Sequence, residues 1–125
     1  MGKTKRPLRF YSLNVGGRVL ELRLTMDAIE KLQNHVGMKI QAFLQSFSED
    51  VLGGFVTVVW AARQPFVATG EKFTMDDAKC IWDELIDEGN NVEDNSKILQ
   101  DILKESGLMP HEAEIEEDEQ DSPKE

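Results

Sequence analysis

Hydrophobic positions change their spacing in the middle of the segment from Leu20 to Gly37. Leu20, Leu22 and Leu24 alternate with Glu21 and Arg23, the period of two expected of a strand with one face in the core. From Thr25 the period lengthens. Ile29, Leu32 and Val36 recur at helical spacing, Thr25 carries the hydroxyl of a helix N-cap, and Gly37 is the residue type that most often ends a helix. A strand therefore passes directly into a helix, with no residues between them for a phosphate-binding or active-site loop.

The same reading extends along the chain. Leu8–Leu13 and Arg18–Leu24 are expected to form an antiparallel hairpin through Asn14-Val15-Gly16-Gly17, where two glycines permit positive φ. In the first strand Leu8, Phe10 and Ser12 share one face and Arg9, Tyr11 and Leu13 the other, so it is less clearly sided than the second. A lone hairpin is marginal in water and must pack on helices or pair with another chain. A first helix is expected over Met26–Val36 and a second over Lys39–Phe47, with Ile40, Phe43, Leu44 and Phe47 on one stripe. Ser48 offers a cap for a third, with Glu49 and Asp50 in its first turn.

Val51–Arg63 is apolar nearly all round. Its run Val56–Val59 favours a strand by propensity, but length and the preceding cap favour a central helix enclosed by the others, with Gly53-Gly54 allowing close packing and Pro65 ending it. After a loop at Thr69–Lys72, Thr74 and Asp77 form an aspartate version of the capping box for a fourth helix, with Ala78, Ile81, Trp82, Leu85 and Ile86 as its apolar face and Gly89-Asn90-Asn91 as its end. A fifth is expected over Asn95–Glu105, with Ile98, Leu99, Ile102 and Leu103 inward and Gly107 as its stop. The fold class is thus mainly α (α+β): an N-terminal β-hairpin followed by a compact bundle of about five helices.

Charge divides the chain further. Of a formal −10, residues 112–125 contribute −7 from eight acids and one lysine, so the rest is nearly balanced. This suggests a basic segment at residues 1–7, a hairpin-plus-helix domain at 8–109 and an acidic tail at 110–125, disordered for want of an apolar period. Bulk acidity argues against sequence-independent nucleic-acid binding, and the basic cluster Lys3, Lys5, Arg6 and Arg9 reads as a solubilising start or one wall of the hairpin. The start MGKTKRPLRF has no apolar run after it, so no secretory signal is expected. The longest apolar stretch, near Val51–Ala62, is too short for a membrane span.

Residues able to carry chemistry are few. Cys80 is a single cysteine, which excludes an intrachain disulfide and points to a reducing compartment. Beside Ile81 and Trp82 it reads as a small core or interface residue. His35 and His111 have no Cys or carboxylate at ligand spacing, and His35 reads as a helix-end residue. The acids Asp83, Glu84, Asp87 and Glu88 flank the fourth helix as a solvated face. The run Asp83–Asn95 resembles a calcium loop in composition only, since Ile86 falls at a ligand position. No metal, cofactor or catalytic residue is therefore expected. Two tryptophans and six phenylalanines are a generous supply for so small a core. Either all are core, or part of the Phe43/Phe47 or Phe66/Phe73 set faces a partner. Phe43, Phe47 and Phe66 are the candidate partner-binding residues.

The hairpin ending in ELRLT, followed by an alanine, a leucine and a glycine stop at fixed offsets (Leu22, Arg23, Leu24, Thr25, Ala28, Leu32 and Gly37), resembles the tail assembly chaperones of long-tailed phages and prophages. The likeness covers roughly residues 10–108 and includes the later order of helices and the Thr74-Met75-Asp76-Asp77 cap. Gln33 departs from it, where the family commonly has an acid. The resemblance implies a non-enzymatic protein of the bacterial cytoplasm that coats the tape measure protein during tail tube assembly and is absent from the finished virion. It implies a longer form, made by ribosomal frameshift near the end of the short frame, that engages tail tube protein. Ser122-Pro123-Lys124 can be encoded with a slippery C-CCA-AAG run. Homo-oligomerisation through apolar helix faces is a further expectation. The competing readings are an acidic regulatory or nucleic-acid-mimic protein whose tail blocks a basic partner, and a small enzyme subunit, which the lack of a convergent His, Cys or acid cluster disfavours.

Overall fold

A computed structural model of the chain describes residues 9–109. The basic segment and the acidic tail expected at the two ends fall outside the described residues.

Strands β1 (Tyr11–Val15) and β2 (Arg18–Leu22) form a two-stranded antiparallel sheet in which Tyr11 pairs with Leu22, Leu13 with Leu20 and Val15 with Arg18. The turn is tighter than the sequence suggests. Gly16 and Gly17 alone make it, with φ of 61° and 75°, the left-handed pair that a two-residue hairpin turn requires. Asn14 and Val15 are thereby drawn into β1, and Arg9 and Phe10 are left before it. The sidedness resolves accordingly. Leu13 and Val15 are buried with Leu20 and Leu22, while Ser12, Asn14 and Val19 face solvent.

Five helices follow: α1 (Met26–Val36), α2 (Ile40–Gln45), α3 (Val51–Arg63), α4 (Met75–Asp87) and α5 (Val92–Glu105). The mainly α architecture with an N-terminal hairpin is the one read from the residue pattern. Thr25 caps α1 through its hydroxyl, which accepts from the Ala28 N–H at 3.2 Å, and Gly37 ends it in the left-handed conformation. Thr74 and Asp77 form the expected reciprocal capping box on α4, each side chain accepting from the other's backbone N–H.

Three boundaries differ. The stretch read as one helix over Lys39–Phe47 is α2 followed by a 3₁₀ turn, Ser46–Ser48, because Ser46 turns its hydroxyl back to the Phe43 carbonyl at 2.6 Å. Asp50, not Ser48, caps α3, accepting from the Gly53 N–H at 2.9 Å. Asn91 does not end α4 but opens α5 in a second capping box with Asp94, so α5 starts three residues before Asn95. Asn95 is fully buried, and its side-chain carbonyl accepts from Asn90.

α3 is the axis of the bundle. It packs on α1, α4, α5 and β2, and Phe55, Val58, Val59, Ala61 and Ala62 are sealed from solvent. The β-branched run that favours a strand in isolation is helical here with all four of its residues buried, so burial outweighs propensity. Pro65 lies in a 3₁₀ turn just past Arg63, where α3 stops. Gln64 then staples the following loop, its Nε2 donating to the carbonyls of Trp60 and Phe73 at 3.0 and 2.9 Å.

Candidate partner-binding groove

The seven residues that carry the family likeness share one structural corner. Leu22, Leu24, Ala28 and Leu32 are all buried at 2% exposure or less, and Thr25 and Gly37 cap the two ends of α1. Backbone bonds hold the corner on either side. The Arg23 N–H reaches the Ala62 carbonyl at the end of α3, and the Leu24 N–H reaches Ser106 Oγ at 2.8 Å. Arg63 adds a bond to Glu21 Oε1 at 3.1 Å. Gln33, where the family commonly has an acid, uses its side-chain carbonyl to accept the Ile40 N–H at the start of α2. A carboxylate could accept that bond as well, so the departure keeps the geometry.

Of the aromatic residues proposed for partner contact, Phe43 and Phe47 meet and Phe66 lies apart from them. Phe43 is 5% exposed and belongs to the core, a correction to its reading as a partner residue: α2 packs on α1 and turns it inward. Phe47 is half-buried, edge-on to Phe43 with ring centroids 5.0 Å apart, and its ring lies across Gly54. Phe66 is half-buried elsewhere, beyond α3, edge-on to Phe10 at 5.6 Å. Cys80 is exposed on α4, so it is not a core residue. One helical position separates it from buried Ile81, enough to turn it outward. His35 stands in the last turn of α1 with its ring 5.2 Å from that of Trp60.

Unsealed apolar surface lies instead between α3 and α4. Leu52, Gly53 and Val56 from α3 and Met75 and Trp82 from α4 line a groove of about 590 Å³ that opens to solvent. Leu52 is 53% exposed. Trp82 is held on the wall by an edge-on contact with buried Phe55, ring centroids 5.0 Å apart. A second cleft of about 270 Å³, bounded by Val36, Met38 and Phe43, adjoins it and shares Asp50, Gly53 and Thr57. The first turns of α3 thus form a ridge with apolar recesses on both sides. Gly54 lets Phe47 pack closely onto α3, since a Cβ there would stand 2.8 Å from two Phe47 ring carbons.

Methionine and tryptophan walls adapt to varied apolar side chains. The charged groups on the larger groove are Asp50, Lys79 and Asp83, of which Asp50 is engaged as a helix cap and Lys79 lies 3.8 Å from Asp76. A more polar recess of about 380 Å³ lies beside Arg18, Arg63, Lys72, Asp77 and Glu84, with Arg18 bridged to Glu84 and Arg63 to Glu21. Among the described residues, no group of three His, Cys, Asp or Glu side chains could hold a metal ion, and no helix is long and apolar enough to cross a membrane.

The signal for the groove was present in the sequence. Met75 and Trp82 lie two turns apart on α4, and Leu52 lies one turn before Val56 on α3. Periodicity assigns such residues to a core, and only the spacing between the two helices leaves them open. Comparison with protein-family models, curated proteins and solved structures finds no match to this chain.

Proposed function

We propose that this protein is a non-catalytic tail assembly chaperone of a long-tailed phage or prophage, which shelters apolar helical segments of the tape measure protein while the tail tube forms. The observation that carries the reading is the solvent-open groove with Leu52, Val56, Met75 and Trp82 on its walls. An amphipathic client helix laid into such a groove is shielded from aggregation through its i, i+3, i+4 and i+7 side chains. The resemblance at the strand-to-helix corner names the client class, and the net charge of −10 keeps a chain with such a surface soluble. On this reading the protein works in the bacterial cytoplasm and leaves before the virion is complete. Its frameshifted form would engage the tail tube protein.

Co-expression with the tape measure protein of the genome that encodes this chain tests the proposal. The full chain should raise the soluble fraction of the tape measure protein severalfold, and Leu52→Asp should abolish that gain while leaving circular dichroism unchanged. A tape measure protein equally soluble with either version, or insoluble with both, would sink the reading. Deleting residues 111–125 separates it from the acidic-mimic alternative, because client capture should survive the deletion and blockade of a basic partner should not.

A further inference from the structure

The rim of the groove is as informative as its walls. Asp50 and Asp83 border it on opposite helices and both are exposed, and Glu49 borders the adjoining cleft. Lys79 is the one cation among the described residues of the lining, set against the two carboxylates, and its Nζ is 3.8 Å from Asp76 Oδ1 on the same helix. Asp83 makes no ion pair among the described residues. An apolar trough whose lining carries two carboxylates to one lysine favours an occupant whose apolar stripe is flanked by cations.

Two other occupants are disfavoured by the same electrostatics. The chain's own tail carries −7 over residues 112–125, and a second copy of the chain carries −10 overall. Each would bring like charge to an acidic rim. We propose that the groove between α3 and α4 selects an amphipathic helix with lysine or arginine beside its apolar stripe, and that Asp83 is a principal determinant of that selection. The inference rests on the reading of the groove as the client site and adds the charge class of the segment it takes.

Two synthetic helical peptides separate the two claims. Both carry the same leucine and phenylalanine stripe at helical spacing. Lysines flank the stripe in one, glutamates in the other, and each is titrated calorimetrically into the full chain at low salt. The lysine peptide should bind about tenfold tighter or better, the scale expected of a few rim charge pairs. Raising salt to several hundred millimolar should level the two, since exposed charges are then screened within a few ångströms. Asp83→Lys, at an exposed position that leaves the fold intact, should shrink or reverse the preference, whereas Leu52→Asp should weaken both peptides. Equal affinities at low salt overturn charge selection while leaving the groove as a client site. A preference that persists in Asp83→Lys overturns the role of that residue. Binding of neither peptide overturns both claims.

Discussion

The corner where β2 enters α1 and the groove between α3 and α4 are built from the same kinds of residue and end in opposite states. At the corner Leu22, Leu24, Ala28 and Leu32 are sealed, and the backbone polar groups of Arg23 and Leu24 are bonded to other elements. In the groove Leu52 is more than half exposed, and Met75 and Trp82 are only half-buried. Those four side chains have no apolar area left to offer a partner. The groove retains apolar area whose burial would stabilise a complex by about 25 cal/mol per Å² before ordering costs. The contrast teaches that residue type alone does not separate scaffold from binding surface in a helical domain this small.

The largest expected effect is at the corner. Leu32→Ala removes a side chain with no exposure and should cost about 2–5 kcal/mol, read by urea denaturation. A loss under about 1 kcal/mol would show that the corner is looser than described. Gly54→Ala comes next, and two effects oppose each other there. Helix propensity favours alanine by up to about 1 kcal/mol, but its Cβ would stand 2.8 Å from the Phe47 ring. Overpacking of that kind typically costs about 1–3 kcal/mol, so the variant should be less stable. Combining it with Phe47→Leu should recover part of the loss, and stabilisation by Gly54→Ala alone would mean that the ridge beside the groove is not closely packed.

Leu52→Asp should move stability by no more than about 0.5 kcal/mol, because the side chain is exposed and an acid in the first turn of α3 suits the helix dipole. A loss comparable with that of Leu32→Ala would make the groove wall part of the core and erase the contrast. The smallest effect lies under the hairpin. Burial, aided by the nearby charge of Asp101, raises the Tyr11 phenol above its usual value of 10.0. The folded state therefore holds the proton where the unfolded chain releases it. That contribution is intact below about pH 10 and declines as pH rises further. Alkaline titration of stability should show this decline, and Tyr11→Phe should flatten it.

Much of the fold was legible in the residues. The switch of period at Thr25 located the corner, and the caps Thr25 and Thr74 marked helix starts that the structure keeps. The misplaced boundaries have a common cause. Ser48, Asp50, Asn91 and Asp94 are all competent caps, and which of them closes on a backbone N–H depends on how the neighbouring helices orient the turn. The candidate site was less legible. Phe43 and Phe47 share a helical stripe with Ile40, a pattern that does not say whether the stripe meets a neighbour or solvent. Trp82 shares its face of α4 with Ile81 and Leu85, which are sealed where Trp82 is only partly covered.

The order of the elements, the two-glycine hairpin turn and the strand-to-helix switch follow from local rules, because φ preference, capping chemistry and hydrophobic period act within a few residues. Whether an apolar side chain is scaffold or surface is not a local property. It depends on how closely a second helix approaches, and that distance is set by contacts such as Phe47 on Gly54 and Phe55 on Trp82. Tertiary packing alone decided that Phe43 is enclosed and that Leu52 stands open.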